Sequence, residues 1–122
     1  MKLSRKNPAL FFALATFTLV IGCKSEWIDA NIENHTGQPI QQLEVAYPSA
    51  SFGTNGLAPE GSFHYRFQTR GSGPVKVDYI TPEGKTWHKE GLTLMEHQEG
   101  QITVRLLPLG KIEFSANLQP SH

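Results

Sequence analysis

The chain has 122 residues, a single cysteine, and eleven basic against eleven acidic side chains. That length supports one domain with a modest core. One thiol excludes an internal disulfide and a thiolate metal cluster, and the absence of a basic stripe argues against nucleic acid as a partner.

At the N-terminus Lys2, Arg5 and Lys6 precede an uncharged, apolar stretch from Ala9 to Ile21, closed by Gly22 and Cys23. A membrane-spanning helix needs roughly 20 apolar residues, more than this run holds. Phe11, Phe12, Leu14, Phe17 and Leu19 put bulky groups on every side of a helix, which suits a membrane or an export channel better than the flank of a small core. Ending in Val20-Ile21-Gly22-Cys23, the segment resembles a bacterial lipoprotein signal peptide with its lipobox. The resemblance implies that residues 1–22 form a signal helix cut between Gly22 and Cys23, and that Cys23 carries a diacylglyceryl group, often with a third acyl chain on the new amino terminus. Two or more chains anchor a protein stably where one does not. Lys24 stands where inner-membrane lipoproteins of enterobacteria carry aspartate, which implies the outer membrane, periplasmic face, in a Gram-negative host. Beyond the leader the resemblance extends only to the broad class of small bacterial lipoproteins.

Removal of residues 1–22 takes away three basic and no acidic residues, leaving eight basic against eleven acidic side chains. This mild acidity gives no support for electrostatic adhesion to anionic lipid, so the bilayer is reached through acylated Cys23 alone. Residues 23–26 make a lipidated tether on the order of 10 Å long, which sets the folded domain almost on the membrane.

From Trp27 onward the apolar residues recur with period two, the spacing of strands with one buried face. The runs are Ile28, Ala30, Ile32; Leu43, Val45, Tyr47; Phe63, Tyr65, Phe67; Val75, Val77, Tyr79; Ile102, Val104, Leu106; and Ile112, Phe114, Ala116. Lys85 to Leu94 adds a further strand and Ser51 to Leu57 a short edge strand. Turn chemistry falls between the runs, as at Pro82-Glu83-Gly84, where Pro presets a negative φ and Gly accepts a positive one. About seven strands over residues 27–116 predict an all-β domain: an antiparallel two-layer β-sandwich of the immunoglobulin or transthyretin kind, with a small barrel as rival. The tail, residues 117–122, is expected to be loose.

Chemistry-bearing motifs are sparse. The sequence holds no Gly-x-Ser-x-Gly elbow, His-Glu-x-x-His helix or phosphate loop, so no catalytic residue, cofactor or metal is assigned. His64 lies beside Arg66 and His88 beside Lys89, where positive charge disfavours a cation; His35 and His97 fall in turns, and His122 is terminal. Glu96 and Glu99 flank His97 and offer at most a weak cation site, with a solvated loop as the simpler reading.

The candidate ligand loop is the small-residue segment from Tyr47 to Gly56, with Tyr47, Ser49, Ser51, Phe52 and Asn55 as the residues suited to a peptide or glycan. The competing reading makes Tyr47 and Phe52 core residues beside a plain connection. Trp27 and Trp87 lie opposite the regular apolar face, as exposed stacking groups or as cover for a sheet edge, and Trp27 also suits the membrane interface. Asn34-His35-Thr36 has the form of a glycosylation acceptor, but reads more simply as a turn with Asn34 left-handed beside Gly37. The function expected is a non-enzymatic binding or assembly module of the cell envelope, taking an envelope protein, peptide or glycan. The alternatives are an accessory subunit of a secretion or envelope-assembly complex, and a small periplasmic hydrolase.

Overall fold

A computed structural model describes residues 26–121. The leader, the Gly22/Cys23 cleavage and lipidation site, and His122 lie outside the described residues. Eight strands follow in chain order: β1 (Ile28–Asn34), β2 (Gln42–Tyr47), β3 (Ala50–Thr54), β4 (Ser62–Phe67), β5 (Gly73–Ile80), β6 (Thr86–Leu94), β7 (Gln98–Leu106) and β8 (Ile112–Pro120), with a 3-10 turn at Pro108–Gly110. They form two four-stranded sheets, ordered β4-β1-β7-β8 and β3-β2-β5-β6.

The period-two runs decide which face turns inward. Ile28, Ala30 and Ile32 of β1, Leu43 and Val45 of β2, Val75, Val77 and Tyr79 of β5, and Ile102, Val104 and Leu106 of β7 are all buried between the sheets. Burying such side chains gains roughly 1.5–3 kcal/mol each before entropy is counted, and that gain fixes the register, since a slip by one residue would turn every apolar group to water. The all-β sandwich is therefore as expected, with the two added strands bringing the count to eight.

Three details differ from the expectation. β1 and β7 pair in parallel, Ile28 beside Gly100 through Asn34 beside Leu106, while the other five pairings are antiparallel. In an immunoglobulin sandwich strands 1 and 2 share a sheet; here they lie in different sheets, so the immunoglobulin order among the expected kinds is not the one adopted. The tail is not loose up to Pro120: Asn117 pairs with Gln101 and Pro120 with Gln98, so β8 continues to the end of the sheet. Of its inward positions Ile112 is buried and Phe114 and Leu118 are half-buried against the core, while Ala116 is exposed.

Turn residues behave as their chemistry dictates. Gly84 donates its N–H to the Thr81 carbonyl at 2.9 Å with φ +85°, closing the β5–β6 hairpin around Pro82. β6 carries a bulge at Leu92 (φ 47°), where the register to β5 shifts between Pro74 and Val75.

Candidate functional site

The segment from Tyr47 to Gly56 is not an open loop. Tyr47 and Ala50 pair across the two-residue turn Pro48-Ser49, so the segment is the β2–β3 hairpin. Its five candidate residues do not converge. Phe52 is buried and stacks on Tyr65 at 4.4 Å between ring centroids, while Tyr47 stacks on Phe67 at 4.1 Å. Burial, with Tyr65 nearby, pushes the Tyr47 phenol above its ordinary pKa. The Ser49 hydroxyl accepts the Arg70 N–H at 3.1 Å, and the Ser51 hydroxyl donates to Glu44 Oε2 at 3.2 Å. Asn55 is exposed just past β3.

The outer face of the second sheet carries a groove of about 460 Å³. Register sets Gly53, Glu44, Asp78 and His88 in one row across its four strands. His88 Nδ1 lies 2.7 Å from Asp78 Oδ1, with both side chains about half exposed. The hydroxyl of Ser51, on the opposite edge strand, is engaged with Glu44. The row therefore holds a solvated carboxylate–imidazole pair with no nucleophile bonded to it, which is not the arrangement of an acyl-transfer site.

The outer face of the first sheet is built differently. The outward residues of β1 and β7 alternate with the core residues, so Asp29, Asn31 and Glu33 stand beside Gln101, Thr103 and Arg105. Trp27, just before β1, lies on this face 41% exposed, with the Arg66 guanidinium 5.2 Å from its ring centroid. Arg66 Nε is 3.5 Å from Asp29 Oδ1, and Arg105 Nε is 3.6 Å from Glu33 Oε1. Asn31 Nδ2 donates to Glu33 Oε2 at 2.8 Å, whereas Asn31 Oδ1 is shielded from water and has no hydrogen-bond partner. Gln119 Nε2 donates to Glu99 Oε2 at 3.0 Å. Two shallow cavities, of about 220 and 230 Å³, adjoin on either side of the Asp29–Gln101 pair, which lines both. The polar half of the β1 and β7 alternation was the available signal for this face; the parallel pairing that joins the two halves was not legible in the sequence.

Beyond the end of β1, His35 is clamped by two carboxylates, Nε2 at 2.9 Å from Glu33 Oε1 and Nδ1 at 3.2 Å from Glu60 Oε1. The hydrogen bond to Glu33, then that to Glu60, raises its pKa above the ordinary value of 6.5. His97 turns to Glu26 at 3.1 Å, with Glu96 at 4.0 Å, while Glu99 engages Gln119. Glu99 thus turns away from His97, and among the described residues no three His, Cys, Asp or Glu side chains gather as a ligand set. His64 is exposed on β4, opposite Asn31.

Trp87 is half-buried against the core, with Lys85 Nζ 4.3 Å above its ring, so it covers the sheet edge and is not a free stacking platform. Asn34 is neither left-handed nor accessible. It ends β1 fully buried, with Nδ2 donating to the carbonyls of Gln38, Leu57 and Ala58 and Oδ1 accepting from the Thr36 N–H and hydroxyl.

No family model matches the chain, and no curated protein matches it. Among solved structures it is similar to a protein from Eubacterium rectale determined by NMR, with a TM-score of 0.55 and 13% identity over 75% of this chain and 88% of that one. At this identity the likeness concerns the fold alone.

Proposed function

We propose that the protein is a lipid-anchored, non-enzymatic binding module of the cell envelope. The observation that carries this reading is the outer face of the β4-β1-β7-β8 sheet, where Trp27, Asp29, Asn31 and Gln101 line two adjoining shallow cavities. An open polar surface on a rigid sheet suits recognition; an enzyme of this size needs a nucleophile or base gathered in a water-excluding cleft. The lipobox-like sequence ending at Cys23 supports anchoring, and β1 starts only five positions later, at Ile28. The tether is therefore short, and the end of the sandwich holding Trp27 and the Met95-Glu96-His97 turn lies nearest the bilayer.

The test is the intact mass of the protein from its native host together with fractionation of Cys23→Ser. A mass of residues 23–122 plus acyl groups, and release of the variant from membranes, are the expected results. An unmodified full-length mass would overturn the anchor. A second reading, as an assembly subunit, draws on β8, a nine-residue edge strand, to which a partner strand could add; crosslinking from residues along β8 to one recurrent envelope protein would favour it.

A further inference from the structure

We propose that the outer face of the β4-β1-β7 strands is a binding site for a neutral glycan, with one sugar ring on Trp27 and its neighbours' hydroxyls on Asp29, Asn31, Gln101 and Thr103. This deepens the binding-module reading above and rests on it.

Both arginines of the face are already paired. Arg66 pairs with Asp29 and Arg105 with Glu33, so a phosphate would find no free cation and a basic peptide would compete with arginines in place. What remains is a surface of amides, carboxylate oxygens and a hydroxyl, each able to donate to or accept from a ring of sugar hydroxyls. A peptide side chain would require an apolar pocket, and the two cavities are instead lined mainly by polar residues, with Trp27, Ala30 and Ile102 the apolar ones.

Trp27 supplies the apolar element. A single exposed aromatic carries no message alone, but this one adjoins the polar cavities and keeps 41% of its surface open even with Arg66 against it. The C–H faces of a sugar ring suit such an indole, while its hydroxyl rim reaches the amides. Asn31 adds an unmet demand. Its Oδ1 is shielded and has no donor, so a ligand hydroxyl that reached it would supply the missing bond. From Trp27 to Asn31 the two adjoining cavities span about 13 Å at the rise of a strand, the reach of a short oligosaccharide and more than a monosaccharide uses.

The test is an NMR titration of the protein purified from its host in detergent micelles, with a panel of neutral oligosaccharides of glucose, galactose, mannose and N-acetylglucosamine. Mass spectrometry of the same sample reports the anchor separately, so the anchor and the glycan site can fail independently. At least one sugar is expected to shift the Trp27 indole N–H and the Asn31 and Gln101 amides, with Trp87 unmoved. Trp27→Ala and Gln101→Ala should each weaken binding at least tenfold, and Ser51→Ala, on the other sheet, should leave it unchanged. If no sugar moves these resonances, or if the shifts survive Trp27→Ala, the proposal is overturned. It is equally overturned if Trp27 responds only to phosphatidylglycerol vesicles, as a membrane-resting indole would.

Discussion

The indole of Trp87 lies flat on Gly110. A Cβ at that glycine would fall 2.1 Å from Trp87 Cε3, and Gly110 has φ +75° besides. Two independent requirements therefore exclude any other residue: left-handed backbone and absence of a side chain. Gly110→Ala is expected to lower stability by about 3 kcal/mol, combining backbone strain with overpacking. Gly91 faces Phe114 more mildly, with Cε2 at 2.9 Å and no positive φ. Because the ring can give, Gly91→Ala should cost only about 1 kcal/mol. Urea unfolding of both variants checks the order; equal midpoints would show that Trp87 moves as readily as Phe114.

Asn34 fastens the ends of three segments. Its amide satisfies the Gln38, Leu57 and Ala58 carbonyls, and its main chain exchanges bonds with Glu60 and Gly61, donating to the Gly61 carbonyl at 2.9 Å. Asn34→Ala removes these bonds and the acceptor of the Thr36 N–H, while the three carbonyls keep the Thr36 hydroxyl, the Ile40 N–H and the Gly61 N–H as donors, and should cost about 2 kcal/mol. Asn34→Asp is isosteric but turns a carboxylate towards three carbonyl oxygens. Desolvation raises the folded pKa of the introduced carboxyl above its unfolded value of about 4. The variant should thus be least impaired below pH 4 and lose stability as pH rises through the folded pKa. Denaturant midpoints measured across that range that do not move with pH, once corrected for the parent protein, would contradict this.

The two layers were legible because nearly every core residue sits on a period-two run: Ile28, Val45, Val77 and Val104 were each named by alternation and each is buried. The parallel β1–β7 pairing was not legible, since 63 residues separate Asn34 from Gln98 in chain order and nothing in either strand encodes its neighbour. The Tyr47–Gly56 segment admitted two readings for a related reason. A loop of small residues around Tyr47 and Phe52 looked accessible, but in the fold those aromatics close the seam between edge strands β3 and β4. The polar cavities arise only when Asp29 and Gln101 are brought side by side.

His35 between Glu33 and Glu60 gives stability a pH dependence of known sign. With the folded pKa raised above the ordinary 6.5, the contribution is complete below the unfolded value and is lost as pH rises through the folded one. His35→Gln should remove that part of the pH dependence. In an NMR titration Glu33→Gln should lower the His35 pKa more than Glu60→Gln, because the Glu33 bond is the leading cause of the shift. A larger response to Glu60→Gln would show that the 2.9 Å contact to Glu33 is not kept in solution.

Phe52 decides whether the β2–β3 hairpin is scaffold or free loop. It is 7% exposed and lies within 4.4 to 6.3 Å, centroid to centroid, of Tyr47, Phe63, Tyr65 and Phe67. Phe52→Ala opens a cavity at the seam and should cost about 3–4 kcal/mol. Ser49→Ala removes one bond, to the Arg70 N–H, and should cost about 1 kcal/mol. If the hairpin is scaffold, Phe52→Ala lowers the unfolding midpoint sharply and loosens hydrogen exchange in β3 and β4 together, since the two edge strands share that ring cluster. If it is a free loop, the midpoint barely moves and exchange changes only between Tyr47 and Thr54. The two edges belong to different sheets, so joint loosening would show that this aromatic seam, and not backbone pairing, is what holds the layers together on that side.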